Sequence, residues 1–173
     1  MEFREYNEQE ADAVFYGLNH FHLVDTTMQR ETSILQAFLL SPASTQARLL
    51  SHLSLSFPVL KRAEGRPDVL GLTQDGVRTL KLLHDHYTSL MMLELYVHKN
   101  NTFSLTREAS RNSQSYHKVL VHIEAQLKLI TSLNKVIIRY YHDKPTPYVM
   151  QLMQGLRWIV LMGDGPGERG GIP

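Results

Sequence analysis

Ser44-Thr45-Gln46-Ala47-Arg48-Leu49-Leu50-Ser51-His52-Leu53 leads into Phe57-Pro58-Val59-Leu60-Lys61-Arg62, then Glu64-Gly65-Arg66-Pro67, then Val69-Leu70-Gly71-Leu72-Thr73-Gln74-Asp75-Gly76. Ser44 or Thr45 can cap a helix, because a hydroxyl oxygen there accepts from the first unpaired N–H groups. Leu49, Leu50 and Leu53 then share one helical face, and Thr45, Gln46, Arg48 and His52 are left to the other. Phe57, Val59 and Leu60 are strand formers, Glu64-Gly65-Arg66-Pro67 breaks the run, and Val69, Leu70 and Leu72 resume it. The stretch therefore predicts a short helix, a small hairpin and the start of a long helix, which is the outline of a winged-helix DNA-binding module.

The flanks extend that outline. Ala11, Val14, Phe15, Leu18, Phe21 and Leu23 keep close to helical spacing over residues 8–23, and Ile34, Leu35, Phe38 and Leu39 mark a second helix ended by Ser41-Pro42. By order of elements this is a helix-turn-helix. Beyond Gly76, Val77, Leu80, Leu83, Tyr87, Leu90 and Met91, with Leu93, Leu95 and Val97 on other sides, predict one helix to about Lys99, apolar nearly all round. Tyr116, Leu120, Ile123, Leu127, Ile130, Asn134, Ile137 and Tyr141 alternate spacings of four and three, a heptad seam with Asn134 at an a position. Such a seam suits a homodimer interface, and an ordinary core helix is the alternative. After Pro145 and Pro147, residues from Val149 to about Met162 predict a last helix, and the glycine-rich tail that follows, residues 163–173, predicts a flexible end. No internal repeat is evident.

The central stretch resembles the MarR-type winged-helix regulators. Ser44 to Leu53 sits like that family's recognition helix, and Leu72-Thr73-Gln74-Asp75-Gly76 looks like the Leu-Thr-x-x-Gly that closes its wing. The wing is short, with only Glu64-Gly65-Arg66-Pro67-Asp68 between the two candidate strands. The resemblance implies a mainly α fold with a small β-hairpin: a winged helix-turn-helix domain with linking helix over residues 1–100, and helical dimerisation elements over 101–162. It also implies an effector pocket between the two parts, where an aromatic ligand would lie near Tyr16, Phe21 and Tyr87.

Charge and chemistry narrow the function. The net charge of +1 is not that of a histone-like binder, so a DNA-binding role has to rest on Arg48, Lys61, Arg62 and Arg66, opposed between Ser44 and Pro67 only by Glu64. In that role Gln46 suits adenine, Arg48 guanine or phosphate, Ser44 and Thr45 the backbone phosphates, and Lys61, Arg62 and Arg66 phosphates or a minor groove. The absence of cysteine excludes disulfides and thiolate metal sites. Without a signal peptide or an apolar run of membrane length, a cytoplasmic protein is expected.

His20-Phe21-His22 and His84-Asp85-His86 stand out, but imidazoles two apart on a helix face different ways. One histidine from each pair with Asp85 or Glu94 would be needed for a metal, and neither a metal nor a cofactor is expected. No nucleophile elbow, phosphate loop or His-Glu-x-x-His motif occurs, so no enzyme is expected. The expected function is a homodimeric transcriptional regulator that reads double-stranded DNA. The alternatives are a replication or plasmid-partition factor, and a non-enzymatic helical protein–protein interaction module.

Overall fold

A computed structural model describes residues 8–24, 35–38, 46–98, 105, 113–141 and 143–163. The elements in chain order are α1 (Glu8–Leu18), β1 (His20–His22), a 3-10 turn (Gln46–Leu49), β2 (His52–Ser56), β3 (Leu60–Ala63), β4 (Arg66–Leu72), α2 (Gln74–His86), β5 (Met92–Val97), α3 (Ser113–Leu127), β6 (Lys135–Tyr140), α4 (Pro147–Gly155) and β7 (Ile159–Met162). Strands β1, β2, β5, β6 and β7 form one parallel sheet in that spatial order, and β3 and β4 form a separate antiparallel hairpin. The architecture is α/β, which corrects the expectation of a mainly α winged helix with long dimerisation helices.

Each correction has a local cause. Leu53 and Leu55 alternate with Ser54 and Ser56, a period of two, so the would-be recognition helix is a 3-10 turn followed by β2. The helix expected to reach Lys99 stops at His86, where Tyr87 leaves helical geometry (φ −107°, ψ 72°). Leu93, Leu95 and Val97 then alternate along β5 instead of widening a helix. The heptad seam is broken as well: Tyr116, Leu120, Ile123 and Leu127 lie on α3, Ile130 and Asn134 follow its end, and Ile137 belongs to β6. Val136-Ile137-Ile138 is β-branched throughout, which favours a strand. Arg157, with φ at 65°, ends the α4 turn, so residues 159–162 form β7 rather than prolonging a helix. Residues 8–23 likewise split into α1 and β1.

The expected hairpin is present, and two threonine caps that were not foreseen fix the starts of helices. The hairpin turns at Glu64-Gly65, where Gly65 takes φ 72°. Thr73 caps α2 by accepting from Gly76 N at 3.1 Å, and Thr146 caps α4 by accepting from Val149 N at 3.2 Å, with Pro147 in the first turn.

The helices cover one face of the sheet. Leu53, Leu55, Phe57, Leu93, Leu95, Val97, Val136, Ile138 and Tyr140 point to that side and form one core with Leu80 and Leu83 of α2, Tyr116, Leu120, Ile123 and Leu127 of α3, and Val149 and Met153 of α4. Trp158 joins this core and donates from Nε1 to Glu124 Oε2 at 2.6 Å, tying the approach to β7 to α3. The residues alternating with these strand positions face the other way.

An internal repeat, absent from the sequence reading, governs how the strands begin. Leu50-Ser51-His52-Leu53-Ser54-Leu55, Leu90-Met91-Met92-Leu93-Glu94-Leu95 and Leu133-Asn134-Lys135-Val136-Ile137-Ile138 share the pattern apolar-x-x-apolar-x-apolar. The backbone repeats with it. Ser51 O accepts from Met91 N and Met92 N, both at 2.9 Å, and Met91 O accepts from Asn134 N at 3.0 Å and Lys135 N at 3.1 Å. Leu18-Asn19-His20-Phe21-His22-Leu23 carries the same pattern into β1, at the sheet edge.

Candidate functional site

The face opposite the helices is polar and aromatic over β1, β2 and most of β5 and β6, where the helix-covered face is apolar throughout. On the opposite face Met92, Ile137, Ile159 and Leu161 are the apolar members. Its floor is set by register: His20 pairs with His52, and His52 with Met92; His22 pairs with Ser54, and Ser54 with Glu94; Ser56 pairs with Tyr96, and Tyr96 with Arg139. Because side chains two apart on a strand share a face, the two histidines of β1 point the same way. The helical reading of His20-Phe21-His22 had set them apart.

Glu94 is the centre of this face. It is only 4% exposed. Arg139 Nε donates to its Oε2 at 2.7 Å, Tyr96 Oη donates to the same oxygen at 3.0 Å, and Arg139 Nη2 reaches Oε1 at 3.4 Å. Burial alone would raise the Glu94 pKa, but the hydrogen bonds from Arg139 and Tyr96, with the charges of Arg139 and His52, hold it below the ordinary carboxylate value. The Tyr96 hydroxyl is pushed up to about 12, chiefly by burial, so it remains a donor at neutral pH.

His20 and His52 stack face to face, their ring centroids 3.7 Å apart and their planes 2° from parallel. His20 Nε2 is hydrogen-bonded with Ser54 Oγ at 2.5 Å. Burial first, and the adjacent His52 second, keep His20 below its ordinary pKa. His52 Nε2 lies 3.3 Å from Glu94 Oε1 yet makes no hydrogen bond, and the buried Ser56 Oγ has no hydrogen-bond partner. Buried polar atoms are nearly always satisfied, so these two can each take a further hydrogen bond or, for the imidazole nitrogen, a metal. Toward the carboxyl ends of the strands an aromatic row continues the face: His22 meets Tyr96 edge-on at 5.0 Å, and Tyr141 stacks on Tyr96 at 5.3 Å and on His98 at 6.1 Å.

The residues expected to bind DNA do not converge here. Ser44 and Thr45 lie outside the described residues. Gln46 Nε2 donates to Asp12 Oδ2 at 3.0 Å, Arg48 is exposed on the 3-10 turn, and Lys61, Arg62 and Arg66 are exposed on the β3–β4 hairpin. Hairpin strand β4 packs against α3, on the helix side of the molecule. Of the expected interface residues, Tyr116, Leu120, Ile123, Leu127, Ile130 and Ile137 are buried within this chain and Asn134 is exposed. The recognition-helix and coiled-coil geometry behind the DNA-reading homodimer is therefore not formed. Tyr16 stacks on Phe21 at 5.4 Å and Tyr87 is buried in the core.

Of the histidine pairs, the structure brings His20 and Glu94 together as the metal alternative required, but the second imidazole is His52. His84 and His86 are exposed on α2, where His84 Nδ1 and Asp85 Oδ1 pair at 2.9 Å. The missed signals were the strand period at His20-x-His22 and the alternation at Met92-x-Glu94-x-Tyr96 and Ile137-x-Arg139-x-Tyr141. No helix among the described residues is long and apolar enough to cross a membrane. The chain matches no family model, no curated protein and no solved structure.

Proposed function

We propose that the chain is a strand–helix solenoid that acts without catalysis, docking an acidic segment of a partner protein on its open sheet face. The carrying observation is the strand order. Parallel strands that follow one another across the sheet in chain order, with their helices on one side, stack unit upon unit and turn the other side to recognition. Here that side presents the exposed His20 and His22 and the half-buried His52, Lys135, Arg139 and Tyr141 above a buried floor of Ser54, Ser56, Glu94 and Tyr96. The apolar-x-x-apolar-x-apolar entry to successive strands and the repeated bonds at Ser51 and Met91 support this reading, because leucine-rich strand–helix repeats use that spacing.

Charge selects the partner. Glu94 is the one acidic residue at the described positions of the face in β1, β2, β5, β6 and β7, and Arg139 already neutralises it. Lys135 and the imidazoles of His20, His22 and His52 then leave the face basic or neutral, while the half-buried Tyr141, backed by the buried Tyr96 ring, offers flat contact area suited to peptide recognition.

The test is selection of a displayed random-peptide library on the full chain, followed by fluorescence anisotropy of the selected peptides. Enrichment in Asp and Glu is expected, with affinity at least about tenfold weaker for Lys135→Glu and for Tyr141→Ala, a factor of about 1.4 kcal/mol. Selected peptides without acidic residues, or with affinities unmoved by both substitutions, would remove the open face from the function.

A further inference from the structure

We infer that His20, His52 and Glu94 form a binding site for a divalent transition-metal ion of the zinc class, on the open face and independent of any docked partner. One ligand atom from each of the three lies within 4.8 Å of the others. Two donors bonded to a tetrahedral zinc at ordinary lengths stand roughly 3.4 Å apart. His52 Nε2 and Glu94 Oε1 already stand 3.3 Å apart, and His52 Nε2 is a buried nitrogen with no hydrogen bond. Two imidazoles and one carboxylate are the donor set that zinc accepts while keeping a coordination position for water or another ligand.

The surroundings hold the carboxylate as an outer shell should. Arg139 Nε and Tyr96 Oη both bind Oε2, so Glu94 is fixed through one oxygen while the other, with only the long 3.4 Å contact to Arg139 Nη2, faces His52. His20 is the adjustable ligand. In the present stack its ring plane runs parallel to that of His52, so one ion cannot lie in both planes. His20 is exposed, and turning its ring out of the stack exchanges the hydrogen bond with Ser54 Oγ for a bond to the metal. Arg139 places a positive charge beside the ion, which weakens binding relative to a closed structural site.

Zinc alone is the probe. The full chain, first stripped with a chelator, is titrated with Zn2+ at neutral pH in competition with a chromophoric chelator. One saturable equivalent is expected, weakened at least tenfold in both His20→Ala and His52→Ala and unchanged in the doubly substituted His84→Ala/His86→Ala protein. Co2+ in place of zinc should give a four- or five-coordinate visible spectrum that His52→Ala abolishes. His20→Ala alters an exposed side chain, so it reports on binding even if a substitution at Glu94 compromises folding. Absence of a saturable equivalent, or one that persists in His20→Ala and His52→Ala, would overturn the site. Loss in the His84→Ala/His86→Ala protein would show adventitious binding on α2 instead. Peptide binding with no zinc equivalent would leave the docking reading standing and this site refuted; a zinc equivalent without peptide binding would do the reverse.

Discussion

The guanidinium of Arg139 on β6 closes over the carboxylate of Glu94 on β5, with Nε 2.7 Å from Oε2, on a floor where the carboxylate is almost wholly removed from water. Desolvating a carboxylate is costly, and this pair offsets the cost only while both partners are present. Arg139→Leu strands a buried charge, and a loss of about 3 kcal/mol in unfolding free energy is expected, the low end for a broken buried pair because Arg139 is itself partly exposed. Urea denaturation of Arg139→Leu, Glu94→Leu and the double variant measures it. The double variant should recover much of the loss, and an additive double variant would show that the pair is not coupled.

Acid should weaken the fold in two ranges. His20 is held below its ordinary 6.5, so its unfolded form takes up protons first; stability is intact above about 6.5 and falls as the pH drops below it. Glu94 is held below its ordinary 4.5, so its contribution is present above that value and is lost as the pH falls further. Thermal melting followed by circular dichroism from about pH 8 to about pH 2 should show both declines. His20→Ala should flatten the upper one. A melting temperature that rises between pH 7 and 5.5 in the parent chain would reverse the assigned direction.

Leu93 lies at the centre of the sheet and is 0% exposed. Leu93→Ala removes buried methyl groups between β2 and β6 and should cost about 2–5 kcal/mol. Val121, exposed on α3, supplies the control: Val121→Ala should change stability by no more than about 0.5 kcal/mol. Chemical denaturation of both distinguishes the packed face from the outside of the helix layer.

Thr73 accepts from Gly76 N at the start of α2, so Thr73→Ala should cost about 1 kcal/mol and Thr73→Ser much less. Equal losses for the two would place the cost in the threonine methyl group instead of the cap.

Signals carried by neighbouring residues were legible: the Glu64-Gly65 break in the hairpin, the Pro145 and Pro147 interruption before α4 and the amphipathic run that became α3. The helix-to-strand changes were not. In Leu50-x-x-Leu53 and Leu90-x-x-Leu93 the first two apolar residues stand three apart, which continues a helical pattern across the joint, and only Leu55 and Leu95 disclose the period of two. Tyr116 to Tyr141 kept heptad spacing for the same reason, although α3 ends at Leu127. The site was harder still. His20, His52, Glu94 and Arg139 come from four strands, and their meeting depends on the pairing of His20 with His52 and of Tyr96 with Arg139. Register between distant strands leaves no mark in either strand alone.

The most direct test of the open face is amide chemical-shift mapping of the full chain on addition of a selected acidic peptide. Shifts should cluster at His20–His22, His52–Ser56, Met92–His98 and Lys135–Tyr141, with Lys61–Arg66 unmoved. Shifts confined to the Lys61–Arg66 hairpin or to the outer surfaces of α2 and α3 would contradict the account and place recognition on the helix side.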